Sequence, residues 1–203
     1  MLHVQVTNPT AVLFPNGTVA LFFSSVPCTH GLFEEALGVA VAPHFRQPFV
    51  QARAPVWRRP GPPNAPPATA VGNVEDPFAW IDARGNYHIV AHSQGKVNVC
   101  GTAGYECAVP FYAESALGPW HPSLEPVFDG HTEVVGHGAS VMVARQRPQI
   151  VFAEDGTTPR HMFIGGSFNE TDKETVKGVE RTYVFEFNNA GSLAAAATED
   201  VTV

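Results

Sequence analysis

Charge is scarce in this chain of 203 residues: only 15% of them are Asp, Glu, Lys or Arg, and acids outnumber bases 19 to 12. A net charge of −7 with almost no basic clusters argues against a nucleic-acid partner, since phosphate binding wants a basic face. Arg58-Arg59, inside a proline-rich stretch, reads as a solvated pair. Long apolar runs are missing too. None approaches the roughly 18 residues of a membrane span, so no membrane partner is expected. The first residues lack a basic region followed by an apolar one, the signal-peptide pattern, although a secreted or extracytoplasmic location remains the expectation. Eighteen Gly and eighteen Pro disfavour long helices. Cysteine is limited to three. Cys100 and Cys107 flank a glycine-rich loop and could close a small disulfide that leaves Cys28 over, while three ordinary thiols is the other reading.

What is present is apolar and aromatic. With 44% hydrophobic residues and 14 Phe, the chain suits half-buried strands and can bury a core in one domain or a few fused repeats. It also repeats. Thr7-Asn8-Pro9-Thr10, Glu75-Asp76-Pro77-Phe78 and Gln146-Arg147-Pro148-Gln149 each open a short apolar run, with a glycine eight positions after the proline (Gly17, Gly85, Gly156). A second landmark keeps the same offset: Pro43-His44-Phe45 is answered by Glu114-Ser115-Ala116, and Pro55-Val56-Trp57 by Pro126-Val127-Phe128. A fixed internal period governs the fold.

Within each unit the pattern predicts short strands. The first holds 10–14 and 18–24 around Pro15-Asn16-Gly17, then 39–41 and 49–51. The second holds 78–82, 87–92, 111–114 and a segment near 126–128. The third holds 149–153, 161–165 and 182–187. Four short strands per repeat describe the blade of a β-propeller. The expected fold is therefore all-β, one propeller domain over 1–203 with units at about 5–60, 74–130 and 134–190. Residues 54–70 are too proline-rich for regular structure and form a connector, and 192–203 is a tail without a unit signature. Propellers usually close with four to eight blades, so the chain reads as part of a longer protein.

The residues from Glu75 to His88 (Glu-Asp-Pro-Phe-Ala-Trp-Ile-Asp-Ala-Arg-Gly-Asn-Tyr-His) resemble the blade opening of five-bladed propeller glycosidases of the family 43 arabinanase/β-xylosidase type and their invertase relatives. Gly118-Pro119-Trp120 is similar to the Gly-Pro-Trp that ends a blade's inner sheet in that group. Gly136-His137-Gly138-Ala139-Ser140 is similar to its Gly-His-x-Ser loop near the channel. The resemblance spans most of 5–190. It implies a central channel into which each blade's opening residue points. Three acids would converge there as base, pKa-tuning acid and general acid, for inverting hydrolysis or, in invertase-like relatives, retaining hydrolysis. The substrate class so implied is an oligo- or polysaccharide with arabinose, xylose, galactose or fructose units.

On this resemblance the catalytic candidates are Asp76 and Glu75, and the sugar-binding candidates are Asn8, Trp80, Gln146, Arg147 and His137. No cofactor is implied beyond a structural Ca²⁺ near His137. Only the second unit keeps acids at its opening: Asn8 and Arg147 stand at the positions of Asp76, and Thr7 and Gln146 at those of Glu75. A non-catalytic carbohydrate-binding propeller is thus the alternative. Arg147 facing Asp76 is expected to lower its pKa. Glu114 and Glu133 are spare carboxylates. Trp80, Tyr87 and Trp120 suit sugar stacking or packing between blades. His88, His92, His137 and His161 together invite a metal reading, but without the tight clustering such sites show.

Overall fold

The computed structural model describes residues 3–27, 35–58, 73–94, 107–123, 125–128, 133–134, 138–139, 142–168, 181–187 and 193–194. Among these the chain is all-β, in antiparallel sheets that follow one another along the sequence. The first sheet holds β1 (His3–Leu13), β2 (Val19–Pro27), β3 (Ala36–Ala42), β4 (Val50–Gln51) and β5 (Trp57–Arg58), the last two both pairing with β3. The second runs β6 (Asn73–Ile81), β7 (Tyr87–Gln94), β8 (Cys107–Ala113) and β9 (His121–Pro122). A small hairpin of β10 (Glu133–Val134) and β11 (Gly138–Ala139) comes next. The third sheet runs β12 (Met142–Phe152), β13 (Pro159–Phe168), β14 (Arg181–Phe187) and β15 (Leu193–Ala194).

The three sheets repeat one local design. Each begins with a hairpin whose tip glycine has positive φ (Gly17 87°, Gly85 87°, Gly156 70°), a conformation that costs a Cβ-bearing residue energy. The glycine N–H donates to the carbonyl three residues back, to Phe14, Asp82 and Ala153, at 2.9 Å each. At the other end of each hairpin the ladder skips the residue–proline pair. Register is lost between Thr7 and Thr10, between Glu75 and Phe78, and between Gln146 and Gln149. The residue ahead of each proline is left-handed: Asn8 at φ 51°, Asp76 at 50° and Arg147 at 54°. A proline cannot donate to a ladder, so a β-bulge accommodates it within the sheet.

Sheets pack face to face through two apolar seams. Successive side chains of a strand point to opposite faces, so the middle sheet supplies both. Ile89, Ala91, Val109 and Phe111 face Val12, Ala20, Phe22, Leu37 and Val39 of the first sheet. Val90, Ala108 and Phe128 face Ile150, Met162, Ile164, Tyr183 and Phe185 of the third. Aromatic pairs pin the seams: Phe22 meets Trp120 edge-on at 5.6 Å, and Phe78 stacks on Phe152 at 6.3 Å.

The strands depart from expectation at their ends. They begin up to seven residues early, because the bulge lets pairing resume on its far side. Trp57–Arg58 is a strand inside the supposed connector, since β3 still offers a free edge there. Leu193–Ala194, in the supposed tail, is the outermost strand of the third sheet. The fourth strand of the second sheet is His121–Pro122 rather than 126–128, although Phe128 still bridges Ala108. Cys107 is disulfide-bonded, while Cys28 and Cys100 lie outside the described residues.

Phe111 is 1% exposed at the centre of the first seam, whereas Leu13 is 69% exposed. Phe111→Ala is expected to cost about 3–5 kcal/mol of stability, a large aromatic lost from a filled core. Leu13→Ala should stay within about 0.5 kcal/mol of the parent. Urea unfolding of the two variants measures the contrast.

Candidate functional site

The three bulges bring the unit openings together. Asn8 donates its side-chain amide to the carboxylate of Asp76. The Asp76 backbone N–H donates to Ser24 Oγ at 3.0 Å, and the backbone N–H of Arg147 donates to the Asp76 side chain. Each opening therefore leans on the unit before it: Asp76 on Ser24 and Asn8, Arg147 on Asp76. Left-handed backbone makes this possible, because it turns the opening residue out of the regular pleat. Asn and Asp adopt that conformation readily, whereas Arg147 pays for it.

Asp76 is 5% exposed. Its pKa is raised, chiefly by burial and then by the charge of Glu75, with His92 and Arg147 pulling the other way. Arg147 does lower it, as expected, through its charge and its backbone N–H, but the net shift is upward. Arg147 is exposed, so water screens its side-chain charge, and desolvation of the carboxylate wins.

Glu75 lies at the inner end of β6, half-buried, on the strand face opposite Val74. It stands opposite His92 in the β6–β7 ladder, and His92 Nδ1 lies 3.3 Å from Glu75 Oε1. Glu35, just ahead of β3, is near enough for the charge of Glu75 to act on it. Burial and the Glu75 charge push the Glu35 carboxyl up to about 7. Sequence reasoning passed over Glu35, because it ends a stretch without periodicity and only the packing of the sheets brings it near Glu75. The register position of His92 opposite Glu75 was the one legible signal.

Glu75, Asp76 and His92 bring one ligand atom each within 4.8 Å of one another. Glu75 is engaged by His92, and Asp76 by the amide of Asn8.

Arg147, bonded to Asp76 through its backbone, also lines with Gln146 a recess of about 290 Å³ on the third sheet, beside Gln149, Phe163, Gly165 and Thr182. The Trp80 ring stacks on His88 at 5.1 Å and contacts Phe152 at 6.1 Å, packing between the second and third sheets. Tyr87 packs on Phe14, and Trp120 donates to the Ala116 carbonyl at 3.2 Å. His88 serves the outer turn, with Nε2 3.1 Å from Asp82 Oδ2, at the opposite end of β7 from His92. His161 belongs to β13 in the third sheet, so these histidines do not gather into one site. Glu114 is exposed. His137 lies outside the described residues.

No family model and no curated protein matches the chain. Solved structures do. A thermostable family-43 glycoside hydrolase superposes with a TM-score of 0.60 at 12% identity, over 94% of this chain and 51% of its own. The GH43_1 enzyme from Xanthomonas citri, complexed with xylotriose, gives 0.57 at 14% identity, over 96% and 55%. The endo-arabinase from Bacteroides thetaiotaomicron gives 0.56 at 14% identity, over 96% and 61%. The chain thus spans little more than half the length of the proteins it matches.

Asn8→Asp tests the electrostatics of the opening. It keeps the left-handed preference but replaces a donor to Asp76 with a like charge, raising the folded-state pKa. The resulting loss should be about 1–3 kcal/mol at neutral pH. It should fade as pH falls to about 4, where both groups take up protons. Urea unfolding across that range reads it.

At these identities the likeness concerns architecture, and it agrees with the sheets and bulges described above: the chain has the blade fold of the β-propeller glycoside hydrolases.

Proposed function

We propose that this chain forms part of a carbohydrate-processing propeller of the glycoside hydrolase type, with sugar held where Asn8, Asp76 and Arg147 meet. The observation that carries the reading is the convergence of three equivalent opening residues on one buried carboxylate. A repeat fold that points the same position of each blade to a common place builds a site from separate units. The fold neighbours support the chemistry: they include an endo-arabinase and an enzyme solved with xylotriose. Arabinose- and xylose-containing polysaccharides are the substrates to try first, with galactosides and fructosides after them.

In this reading Asp76 is the reacting or orienting carboxylate, and Asn8 and Arg147 bind and align hydroxyl groups. Gln146, beside Arg147 in the recess, extends the binding surface. An inverting reaction needs two carboxyls roughly 6.5–9.5 Å apart, so that a water fits between the sugar and the base. Glu75 and Asp76 present atoms within 4.8 Å of each other, too close for that pair. Glu75 therefore supports Asp76, and the opposing acid would come from elsewhere in the assembled propeller.

A second reading has an observation of its own. Asn8 supplies an amide where the resemblance implies an acid, and it is already bonded to Asp76. An amide–carboxylate pair binds hydroxyls well but takes up no proton from water. That favours a non-catalytic carbohydrate-binding propeller.

Asp76→Asn separates these readings. The substitution keeps size and hydrogen bonding and removes the charge, so the fold should survive. Aryl arabinoside, xyloside, galactoside and fructoside hydrolysis is measured beside oligosaccharide binding by calorimetry. Turnover in the parent that falls at least about 10²-fold in the variant supports the glycosidase. Sugar binding without release of product supports the binding module. Neither binding nor turnover in the parent overturns both.

A further inference from the structure

We propose that Glu75, Asp76 and His92 form a binding site for one divalent transition-metal ion, of the Zn²⁺ or Mn²⁺ class, at the inner end of the second sheet. Three ligand atoms, one from each residue, lie within 4.8 Å of one another. His92 Nδ1 and Glu75 Oε1 are 3.3 Å apart. Two ligands bonded to one tetrahedral ion at about 2.0–2.1 Å stand about 3.3–3.4 Å from each other, so this pair already has the spacing of neighbouring ligands. The backbone explains the arrangement. Glu75 and His92 are partners in the β6–β7 ladder, so their side chains rise from the same face of the sheet. A regular strand would send the next residue to the other face, but the left-handed bulge at Asp76 breaks that alternation. Its carboxylate thereby joins the other two.

The donor set selects the metal. Imidazole nitrogen suits first-row transition ions, whereas Ca²⁺ and Mg²⁺ prefer oxygen throughout. Two carboxylates and one neutral imidazole balance a divalent charge. His92 is fully buried and Asp76 is 5% exposed, so little water competes with either side chain for the ion. The Glu75 side chain, 17% exposed, leaves an approach from solvent. Glu35 adds a second, independent sign. Among the described residues its Oε2 is buried without a hydrogen-bond partner, and the charges of Glu75, His92 and Asp76 all act on its carboxyl. A buried carboxylate oxygen without a donor, beside two further acids, is a setting that a cation relieves.

Existing contacts leave room for the ion. A carboxylate accepts along several lone-pair directions, and the Asn8 amide takes one of those on Asp76. With three protein ligands, the ion keeps at least one position for water or another oxygen. A hydroxyl of a sugar held at Asp76 would fill it, a consequence that rests on the proposed function; the ion site itself does not. The competing account is a simple His92–Glu75 ion pair, which predicts no metal affinity.

The test uses the full chain, stripped with EDTA, dialysed, and titrated near neutral pH with Zn²⁺, Mn²⁺ and Ca²⁺ salts by calorimetry. Zn²⁺ and Mn²⁺ should each bind at one ion per chain, more tightly than Ca²⁺, and raise the melting temperature. Bound Mn²⁺ should broaden the NMR signals of the His92 ring and the Asp76 amide before those of His88, at the opposite end of β7. Glu75→Gln should weaken binding more than about 100-fold, beyond the loss expected from a partner outside the ligand shell. His92→Ala should do the same, and Glu75→Gln, at the more exposed position, serves alone if that variant does not fold. His121→Ala, at an exposed imidazole of β9, should leave the affinity unchanged. The proposal is overturned by no binding, by affinity that Glu75→Gln leaves unmoved, by an equal loss in His121→Ala, or by tighter binding of Ca²⁺. None of these readouts needs turnover. A chain that binds the ion but neither binds nor cleaves sugar keeps the cation site and loses only the glycosidase reading.

Discussion

A residue that must precede proline, in a strand that must still pair, has few conformations open to it. At Asn8, Asp76 and Arg147 the chain takes the same one, left-handed and bulged, with pairing resumed on both sides. Proline forces the break in the ladder, and the bulge confines it to two residues. The geometry of the inner ends rests on that confinement. A longer interruption would uncouple the inner end of each sheet from its hairpin. No interruption would send the opening side chains into the seams with their neighbours. The bulge instead frees them to meet one another across blades.

The seams then fix where they meet. Each blade contacts the next through an apolar face, and the middle blade is apolar on both, so its strands read as near-continuous hydrophobic runs such as Ile89-Val90-Ala91 and Cys107-Ala108-Val109. Burial of this kind is strong but has no direction of its own. Direction comes from a few polar contacts at the inner end: Asn8 to Asp76, Asp76 to Ser24 and Glu75 to His92. The same division of labour holds at the outer end. There, against the cost of burial, the Asp82 carboxylate bonds His88 Nε2 at 3.1 Å and accepts from the backbone of Asn86 and Arg84 at 2.9 and 2.8 Å, which together pull its pKa well down. That carboxylate belongs to the turn, whereas the inner ones belong to the site. Asp82 gathers many donors with little burial, whereas Asp76 has fewer donors and more burial, and their pKa shifts run in opposite directions accordingly.

Much of the architecture was legible, because prolines and glycines at fixed spacing are backbone instructions that survive without their neighbours. The unit openings could be placed from Pro9, Pro77 and Pro148, and the hairpin tips from Gly17, Gly85 and Gly156, whereas the bulges that carry each strand through its proline were not foreseen. Strand ends were less legible. Trp57–Arg58 and Leu193–Ala194 are strands only because β3 and β14 offer edges to them, and an edge is a tertiary fact. The site was half legible for the same reason. Asp76 and its counterparts lie at repeat positions and could be aligned on paper. Glu35 lies at none, and only the packing of one sheet on another brings it to Glu75. The sign of the Asp76 shift was misjudged because sequence shows which charges are near in the repeat, but not how exposed they are. Arg147 is in reach yet wet, and its pull is weaker than the cost of drying the carboxylate.

The charge pattern at the inner end has a logic of its own. Three carboxyl groups, Glu35, Glu75 and Asp76, crowd against one histidine, and burial raises two of them. A cluster so acidic would open the seam if all three were ionised. Placing an amide at Asn8 rather than a fourth acid relieves it. Asp76 is held there by that amide and by the backbone N–H of Arg147. An acid at position 8 would supply a base and tax the seam at the same time. The residue that weakens the case for catalysis is therefore also the one that lets the buried acid group persist at neutral pH.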